Sequence, residues 1–312
     1  MSALSYTLGS SQSFMLASTQ SYILASSVSS VIGATLGFAT LLGTAALLVS
    51  GAYLAGLWHD AVKPARRSMG WALGQGLPAS PEDVGLQFEE RSTVLADGTM
   101  PAWWIRGRSP HSNRAVIILH GHGRSRWDSL RRIGQHADNA ALLVIPDLRG
   151  HGDAPGRCAL ARREAGDVCV LMAAIEAEHP GITITLVGHS MGAVVAIHAA
   201  AQRTAAGTAI SEVISWGAYD RVATPLNARL KLRALPARPF SDAILWMCGR
   251  TNGPERITRD AAAALGSTQL TLYADSLDAV SPLADSEAIH AALPSSVLHR
   301  TTGIPHSELG VQ

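Results

Sequence analysis

Residues 182–203 read ITITLVGHSMGAVVAIHAAAQR, and this segment decides the fold of the chain. Each of its first six residues is apolar, β-branched or both, which predicts a buried strand, whereas its Ala-rich second half predicts a helix. Between the two, Gly188 and Gly192 flank Ser190 in a G-x-S-x-G motif. A strand–turn–helix unit of this kind holds a serine hydroxyl on a sharp, exposed turn, and its glycines let strand and helix approach closely. The segment therefore predicts Ser190 as a catalytic nucleophile.

The rest of the chain alternates between short apolar runs and helical patterns. Other strands are predicted at residues 87–95, 102–105, 115–119, 142–145, 212–216, 269–273 and 296–300, and helices at 125–138, 162–178 and 283–293. The dipeptide Asp97-Gly98 between the first two strands is typical of a hairpin turn. This order favours an α/β fold with a doubly wound, mostly parallel sheet that starts with an antiparallel hairpin. Such sheets carry their functional loops at the carboxyl ends of the strands.

Two more glycine motifs follow predicted strands. Residues 120–123 read HGHG and residues 147–152 read DLRGHG. Together with G-x-S-x-G, they resemble the H-G-x-G loop and the D-x-R-G-x-G segment of the α/β-hydrolase fold family, and the resemblance covers residues 86–312. It implies an α/β-hydrolase domain in which residues 147–152 shape the floor of the site, so neither Asp147 nor His151 is assigned to catalysis.

The resemblance also implies an oxyanion hole. The backbone N–H groups of His122 and Met191 are expected to face the negative charge that develops on the substrate, and Gly121 and Gly123 shape the loop. The side chains of His120 and His122 have no carboxylate nearby in the sequence. We therefore predict no metal ion and no other cofactor at this loop.

A serine nucleophile needs a general base, which in this family follows the acid in the chain. The segment GIPHSE at residues 303–308 comes after the last predicted strand and resembles the G-x-x-H-S-E ending of the family, so His306 is the predicted base. Three other histidines follow Ser190, and each lies within a predicted helix or strand: His198, His290 and His299.

The predicted acid lies after the strand at residues 269–273. Asp278 precedes Val280 by two residues and Pro282 by four, which is the spacing in the family that the chain resembles. Asp275 is the first alternative acid. Asp220, after the strand at 212–216, is a more distant one.

The first sixty residues contain no Lys, Arg, Asp or Glu before Asp60. Residues 1–30 are rich in Ser and Thr and predict a weakly ordered tail, whereas residues 31–58 are apolar without a polar face and predict a transmembrane helix. A bilayer core needs about 20 apolar helical residues. A cleaved signal peptide fits less well because the run is too long and no basic residues precede it. A buried helix in the globular core is the alternative that stays open.

The sequence after this helix predicts its orientation and a linker. Lys63, Arg66 and Arg67 follow the helix directly, so the positive-inside bias predicts a single-pass membrane protein whose catalytic domain is cytoplasmic. Residues 59–85 contain three prolines and several glycines and predict a linker.

Composition limits the partners. The net charge is +1, so no strong field attracts nucleic acid. Three cysteines without metal-ligand spacing predict unpaired thiols. The sequence does not indicate an oligomeric state.

An insertion at about residues 219–265 predicts a cap over the site. It mixes basic with apolar residues, which suits an amphipathic, lipid-like ester and equally a helix that lies on an anionic membrane surface. A solvated basic face with a packed apolar side is the third interpretation. The predicted function is hydrolysis of a small-molecule carboxylic ester through a Ser-His-Asp triad and an acyl-enzyme. The alternatives are a thioesterase, amidase or acyltransferase with the same triad, and a non-catalytic binding protein on the same fold.

Overall fold

The computed structural model describes residues 6–311, with side chains from Met15 onward apart from that of Gln135. Within this range eight strands form one sheet: β1 Phe88–Leu95, β2 Gly98–Arg106, β3 Arg114–Leu119, β4 Leu142–Pro146, β5 Thr183–His189, β6 Glu212–Trp216, β7 Gln269–Asp275 and β8 Val297–Thr301. The strand order is β1-β2-β4-β3-β5-β6-β7-β8. The pairs β1–β2 and β2–β4 are antiparallel, and the other neighbours are parallel. The predicted doubly wound, mostly parallel sheet with an initial hairpin is confirmed.

The helices of the same range mostly lie between these strands. They are α1 Tyr6–Val62, α2 Met69–Gly74, α3 Arg126–Ser129, α4 Gly134–Asp138, α5 Glu164–Glu178, α6 Met191–Ala205, α7 Ala223–Leu232, α8 Phe240–Asn252, α9 Thr258–Ala263 and α10 Leu283–Ala292. The single helix expected at residues 125–138 is instead broken by a 3₁₀ turn at Leu130–Arg132. Gly134 follows this turn, and glycine is a poor helix former.

The centre of the sheet explains where the site lies. β3 reads RAVIIL and is buried from Ala115 onward, because helices cover both faces of a parallel sheet. β5 pairs with β3 on one side and with β6 on the other. The carboxyl end of β5, and with it Ser190, therefore lies in the middle of the sheet edge that carries the functional loops.

Helix α1 corrects the prediction for the N-terminus. A weakly ordered tail at residues 1–30 is wrong from Tyr6 onward, and residues 1–5 lie outside the described range. Hydroxyl groups donate to carbonyl oxygens one turn back, as Thr19 does to Met15 at 2.7 Å and Ser29 to Ala25 at 2.8 Å. Such bonds let a helix contain many serines and threonines. The first proline, Pro64, follows the helix end.

Part of this helix is long and apolar enough to cross a membrane. The candidate span is Met15–Val62, with a mean hydropathy of 1.9, and its most apolar window is 0% buried. That exposure distinguishes it from a helix in a globular core. Within the described residues, the chain up to Gly56 and the chain from Leu57 onward form separate compact units.

The predicted linker at residues 59–85 is wrong, because these residues belong to the second unit. Val62 is buried and its carbonyl accepts a hydrogen bond from the Cys158 N–H at 2.8 Å. Ala72 is buried in the core, and the Ala79 carbonyl accepts from Trp127 Nε1 at 2.8 Å. The prolines and glycines of residues 59–85 correctly indicate irregular backbone, but this backbone packs against the domain and does not form a linker.

The predicted insertion is present, with a different boundary. Helices α7 and α8 pack on each other, whereas α9 packs on α6 and α10 beside the sheet. Helix α9 is thus an ordinary crossover helix before β7. The cap therefore consists of α7 and α8 and ends before the expected residue 265.

Candidate active site

Ser190 lies on a strained turn between β5 and α6. Its backbone has φ 55° and ψ −117°, a conformation that costs a non-glycine residue about 1–3 kcal/mol. A Cβ at Gly188 would overlap the backbone of Gly192, and a Cβ at Gly192 would overlap the Leu119 carbonyl. Both motif glycines are needed because no side chain fits where β5, α6 and β3 converge.

Three predicted site residues meet at this turn. Ser190 Oγ lies 2.9 Å from His306 Nε2, and His306 Nδ1 lies 2.6 Å from Asp278 Oδ2. The other oxygen of Asp278 accepts hydrogen bonds from the backbone N–H groups of Val280 and Ser281. The Asp278 side chain is almost fully buried, and that of His306 is 19% exposed. The three side chains form a continuous hydrogen-bonded chain that opens on the serine hydroxyl.

Asp275, the alternative acid, lies elsewhere and has other partners. Its carboxylate accepts from the backbone N–H groups of Leu277, Gly303 and Ile304 and from the Thr301 hydroxyl. Burial favours the neutral form, but these hydrogen bonds outweigh it and lower the pKa of Asp275. Asp275 therefore ties the loop after β7 to the loop that carries His306. Asp220 is also outside the site, where it accepts from the Arg259 N–H at 3.1 Å.

The other histidines after Ser190 do not reach it. His198 is buried in α6, and His290 Nδ1 lies 2.7 Å from the Ser296 hydroxyl. His299 stacks on Tyr273, with ring centroids 4.6 Å apart.

His189, the variable residue of the motif before Ser190, has a role that sequence reasoning missed. Its Nε2 lies 2.7 Å from the backbone carbonyl of His306, and the two rings are 5.1 Å apart. Burial lowers the pKa of His189 well below its usual value, and nearby Arg132 adds to this effect. The neutral ring can thus donate one hydrogen bond to the base-bearing loop, which Arg132 also holds through the carbonyls of Ser307 and Leu309. No sequence motif indicates either contact.

The expected oxyanion loop lies beside the serine. A Cβ at Gly121 would lie 3.3 Å from the Cβ of Ser190, so the HGHG loop lies directly beside Ser190. Gly123, in the same loop, has φ +70°, which favours glycine. Among residues 6–311, no group accepts a hydrogen bond from the backbone N–H of His122 or of Met191. The N–H of Met191 also belongs to the first turn of α6, where the helix dipole favours negative charge.

The side chains of this loop are firmly held. His120 Nε2 accepts from the Leu148 N–H at 2.9 Å and ties the end of β3 to that of β4. Burial lowers the pKa of His120 to about 4. His122 Nε2 lies 2.8 Å from the Ala61 carbonyl, and its Nδ1 lies 2.6 Å from Arg229 of the cap. Because burial and Arg229 lower the pKa of His122 well below normal, its neutral ring donates to Ala61 and accepts from Arg229.

Residues 147–152 form the floor behind this loop. Asp147 accepts hydrogen bonds from the N–H groups of Arg126 and Asp153, at 2.8 Å and 3.0 Å. A Cβ at Gly152, where φ is +48°, would overlap the Asp147 carboxylate. Burial raises the pKa of Asp147 to about 6. Its contacts within the described residues are with this backbone and with Arg126.

Sequence comparison gives the family. Residues 116–303 match the family model described as "Alpha/beta hydrolase family", which is more than half of the chain. The chain belongs to the alpha/beta hydrolase family. No curated protein matches the sequence significantly.

Solved structures agree with this hydrolase fold. The esterase Pf2001 of Pyrococcus furiosus is 20% identical with a TM-score of 0.59, over 73% of this chain and 85% of its own. Est1E of Butyrivibrio proteoclasticus, solved with ferulic acid, is 16% identical with a TM-score of 0.55, over 70% and 91%. A lipase-esterase related protein of Clostridium acetobutylicum is 16% identical with a TM-score of 0.52, over 72% and 94%. At these identities the likeness shows the fold.

A cavity of about 500 Å³ adjoins the serine hydroxyl of this hydrolase. Its walls come from the end of α1 and the segment after it, from the HGHG loop, and from the cap helices. They include Leu57, Asp60, Ala61, Arg67, Arg124, Leu226, Arg229, Leu230, Arg233 and Ile244. The sequence predicted a cap over the site, but no sequence pattern predicted that residues 57–67 line the cavity.

One group of side chains near the cavity has the composition of a metal site. His122, His151 and Cys158 each bring a ligand atom within 4.8 Å of the others. Both nitrogens of His122 are engaged by Ala61 and Arg229, and the guanidinium places a positive charge beside the group. Burial raises the pKa of the Cys158 thiol well above its usual value, which disfavours the thiolate that binds metals. The group therefore suits a cation poorly, and the prediction of no metal stays a prediction.

Proposed function

We propose that this alpha/beta hydrolase cleaves carboxylic esters through an acyl-enzyme, with Ser190 as nucleophile, His306 as general base and Asp278 as the acid that orients the base. The observation that carries the proposal is the hydrogen-bonded chain from Ser190 Oγ through both nitrogens of His306 to Asp278. A neutral imidazole that donates from Nδ1 to a carboxylate has its Nε2 lone pair free to take the serine proton.

The reaction then proceeds in two steps. Ser190 Oγ attacks the ester carbonyl while its proton passes to His306 Nε2, and the oxyanion is stabilised by the N–H groups of His122 and Met191. The imidazolium protonates the alcohol oxygen as the carbon–oxygen bond breaks, which leaves the acyl group on the serine. His306 then takes a proton from water, which attacks the acyl carbonyl. The imidazolium returns the proton to Ser190 Oγ as the acyl–serine bond breaks, and the carboxylic acid is released. A general base of this kind contributes roughly 10²–10⁴-fold in rate.

A fluorophosphonate probe tests the nucleophile. The wild-type protein is expected to be labelled, and both Ser190→Ala and His306→Ala are expected to lose labelling, because the probe needs an activated serine. Ser276→Ala is the matched control, since that exposed hydroxyl lies in the loop just after β7 and contacts Thr302. Labelling that persists in Ser190→Ala overturns the proposal.

Matched substrates separate the alternatives. An oxygen ester, a thioester and an amide with the same acyl group are compared for hydrolysis and for acyl transfer to an alcohol. The ester is expected to have the highest kcat/KM. A higher value for the thioester or amide, or transfer faster than hydrolysis, assigns the triad to those reactions. A folded wild-type protein without labelling or turnover supports the non-catalytic binding protein.

We further propose that the protein is a single-pass membrane protein with its hydrolase domain in the cytoplasm. The length and apolar composition of Met15–Val62 support the first part, and Lys63, Arg66 and Arg67 after the helix support the second. A C-terminal green fluorescent protein fusion should fluoresce, whereas a C-terminal alkaline phosphatase fusion should be inactive. The opposite pair of results contradicts the orientation.

A further inference from the structure

The cavity beside Ser190 has an excess of positive charge. Among the residues that line it, Arg67, Arg124, Arg229 and Arg233 are cationic, and Asp60 is the one carboxylate. A second carboxylate, Asp128, lies behind the wall, where Arg67 and Arg124 share it at 3.4 Å and 3.0 Å. Two acidic groups thus face four guanidinium groups.

Arg229 is the strongest source of this excess. It lies on cap helix α7, and no carboxylate among residues 6–311 forms an ion pair with it; its recorded hydrogen bond is to the neutral ring of His122. Arg229 is exposed to solvent, yet enough protein surrounds its guanidinium that burial lowers its pKa, and the positive charges of Arg233 and Arg124 lower it further. A guanidinium has five N–H donors, so most of those on Arg229 are available to a ligand.

The carboxylates near the other three arginines neutralise them only in part, so the positive excess remains. Asp60 lies 3.5 Å from Arg233, and both side chains are more than half exposed, so this pair is weak. The carboxylate of Asp128 is divided between two arginines and also accepts from the Ser125 N–H at the start of α3. Arg238, in the loop between α7 and α8, differs from these arginines: its side chain is 83% exposed, pairs with Asp242 at 3.4 Å and is not among the residues that line the cavity.

Apolar side chains also line the cavity, so it is not a purely polar site. Leu226 and Leu230 on α7, Ile244 on α8 and Leu57 at the end of α1 line the same cavity. A volume of about 500 Å³ lies in the range of small-molecule sites. The cavity is therefore suited to a short aliphatic chain that ends in an anion.

We propose that the physiological substrate is an ester that carries a carboxylate or phosphate group, which Arg229 binds together with Arg124 and Arg67 while the ester carbonyl reaches Ser190. The proposal rests on the esterase function above and specifies its substrate class. Planar guanidinium groups bind carboxylate and phosphate through paired, charge-assisted hydrogen bonds. Because Arg229 also holds His122, the same contact connects the bound anion to the oxyanion loop.

The test measures a preference and not an activity alone. Full-length protein in detergent is assayed with 4-nitrophenyl butyrate and with 4-nitrophenyl hydrogen glutarate, which ends in a carboxylate. A second pair, 1-butyrylglycerol and 1-butyrylglycerol 3-phosphate, places a phosphate on the alcohol side. The wild type is expected to show kcat/KM roughly 10- to 100-fold higher for the anionic member of at least one pair. The pair that shows the preference identifies the anion and its side of the ester.

The Arg229→Met variant is expected to reduce this ratio to near 1, mainly through a higher KM for the anionic ester, and Arg229→Lys to restore part of it. Arg238→Met is the matched control on the same cap and should keep the wild-type ratio. Rising salt should lower the ratio in the wild type, because it screens the attraction. A ratio at or below 1 in both pairs, with normal Ser190-dependent turnover of the neutral esters, overturns this proposal alone. No Ser190-dependent turnover of any ester overturns the esterase function and with it this proposal.

Discussion

The two ends of the cavity are built in different ways. At the reaction end, Ser190 and the loops that carry His306 and Asp278 continue directly from strands β5, β8 and β7, so neighbouring strands fix their positions. At the entrance end, residues 57–67 and helix α7 come from distant parts of the chain and are held by side-chain contacts such as those of His122 with Ala61 and Arg229. The difference teaches that hydrogen-bonded strands position the candidate triad, whereas individual side-chain contacts position the walls of the entrance.

The largest expected effect separates two aspartates at the reaction end. Asp278→Asn should lower kcat by about 10³–10⁴-fold with little change in the free energy of unfolding, because the amide no longer holds the required tautomer of His306. Steady-state kinetics and urea unfolding measure both quantities.

Asp275→Asn is the matched comparison three residues earlier. Its carboxylate accepts from three N–H groups and a hydroxyl, so its loss should reduce the free energy of unfolding by about 1–3 kcal/mol and lower kcat less than Asp278→Asn does. The assignment of the acid is wrong if the two variants exchange these results.

Two truncations test whether the end of α1 belongs to the hydrolase. A protein that starts at Leu57 should fold and retain the proposed ester hydrolysis, whereas one that starts at Lys63 should lose about 3–5 kcal/mol of unfolding free energy and more than 10-fold in kcat/KM. The second truncation removes the buried side chains of Leu57 and Val62 and the carbonyl that His122 contacts. Denaturant unfolding and ester hydrolysis of both proteins measure this. Equal behaviour of the two contradicts a role for residues 57–62 in the cavity wall.

The smallest expected effect is a pH dependence of stability that comes from helix α6, behind the reaction end. Burial lowers the pKa of His198, in the helix that starts after Ser190, to about 4. Since an unfolded histidine titrates near 6.5, the unfolded state binds more protons between pH 4 and 6.5, so stability should fall as the pH falls through this window. From pH 6.5 to pH 5, His198 alone should account for a loss of about 1.6 kcal/mol in the free energy of unfolding.

The His198→Leu variant isolates this contribution. No acceptor or donor among the described residues contacts His198 Nε2, so the substitution removes the titrating group without breaking a hydrogen bond there. Urea unfolding at pH 7.5, 6.5 and 5 should show a shallower loss of stability in the variant. Parallel curves for the two proteins would mean that His198 does not take up a proton on unfolding.

The sequence predicted the reaction end better than the entrance. The strands and the elbow follow from short-range patterns, and Ser190, His306 and Asp278 lie within hydrogen-bond distance of one another, although their catalytic roles stay predictions. The distinction between Asp278 and Asp275 needed the structure, because both follow β7 and only the turn geometry decides which carboxylate faces the histidine. Family spacing favoured Asp278, but it did not reveal that Asp275 fixes the loop of His306.

The entrance could not be predicted because individual side-chain contacts hold it together, and these follow no short-range sequence pattern. Residues 59–85 contain the prolines and glycines of a linker, yet Ala72 and Val62 are buried in the domain. The Ser- and Thr-rich start of α1 was expected to be weakly ordered because its sequence has no helical periodicity. The hydroxyl-to-carbonyl bonds along the helix produce no such periodic pattern. Arg229 was one of several basic residues in the insertion, and nothing in its neighbours indicated that it faces the nucleophile's cavity.

The last two turns of α1 have a consequence for how the sequence should vary among related proteins. Leu57 and Ala61 line the cavity with Leu226 and Leu230 of the cap, so a change of size at one of these positions alters the space that the others must fill. We expect these four positions to covary, whereas residues before Gly56 should drift freely as long as they remain apolar. A lineage that loses its N-terminal helix should keep the codons from Leu57 onward.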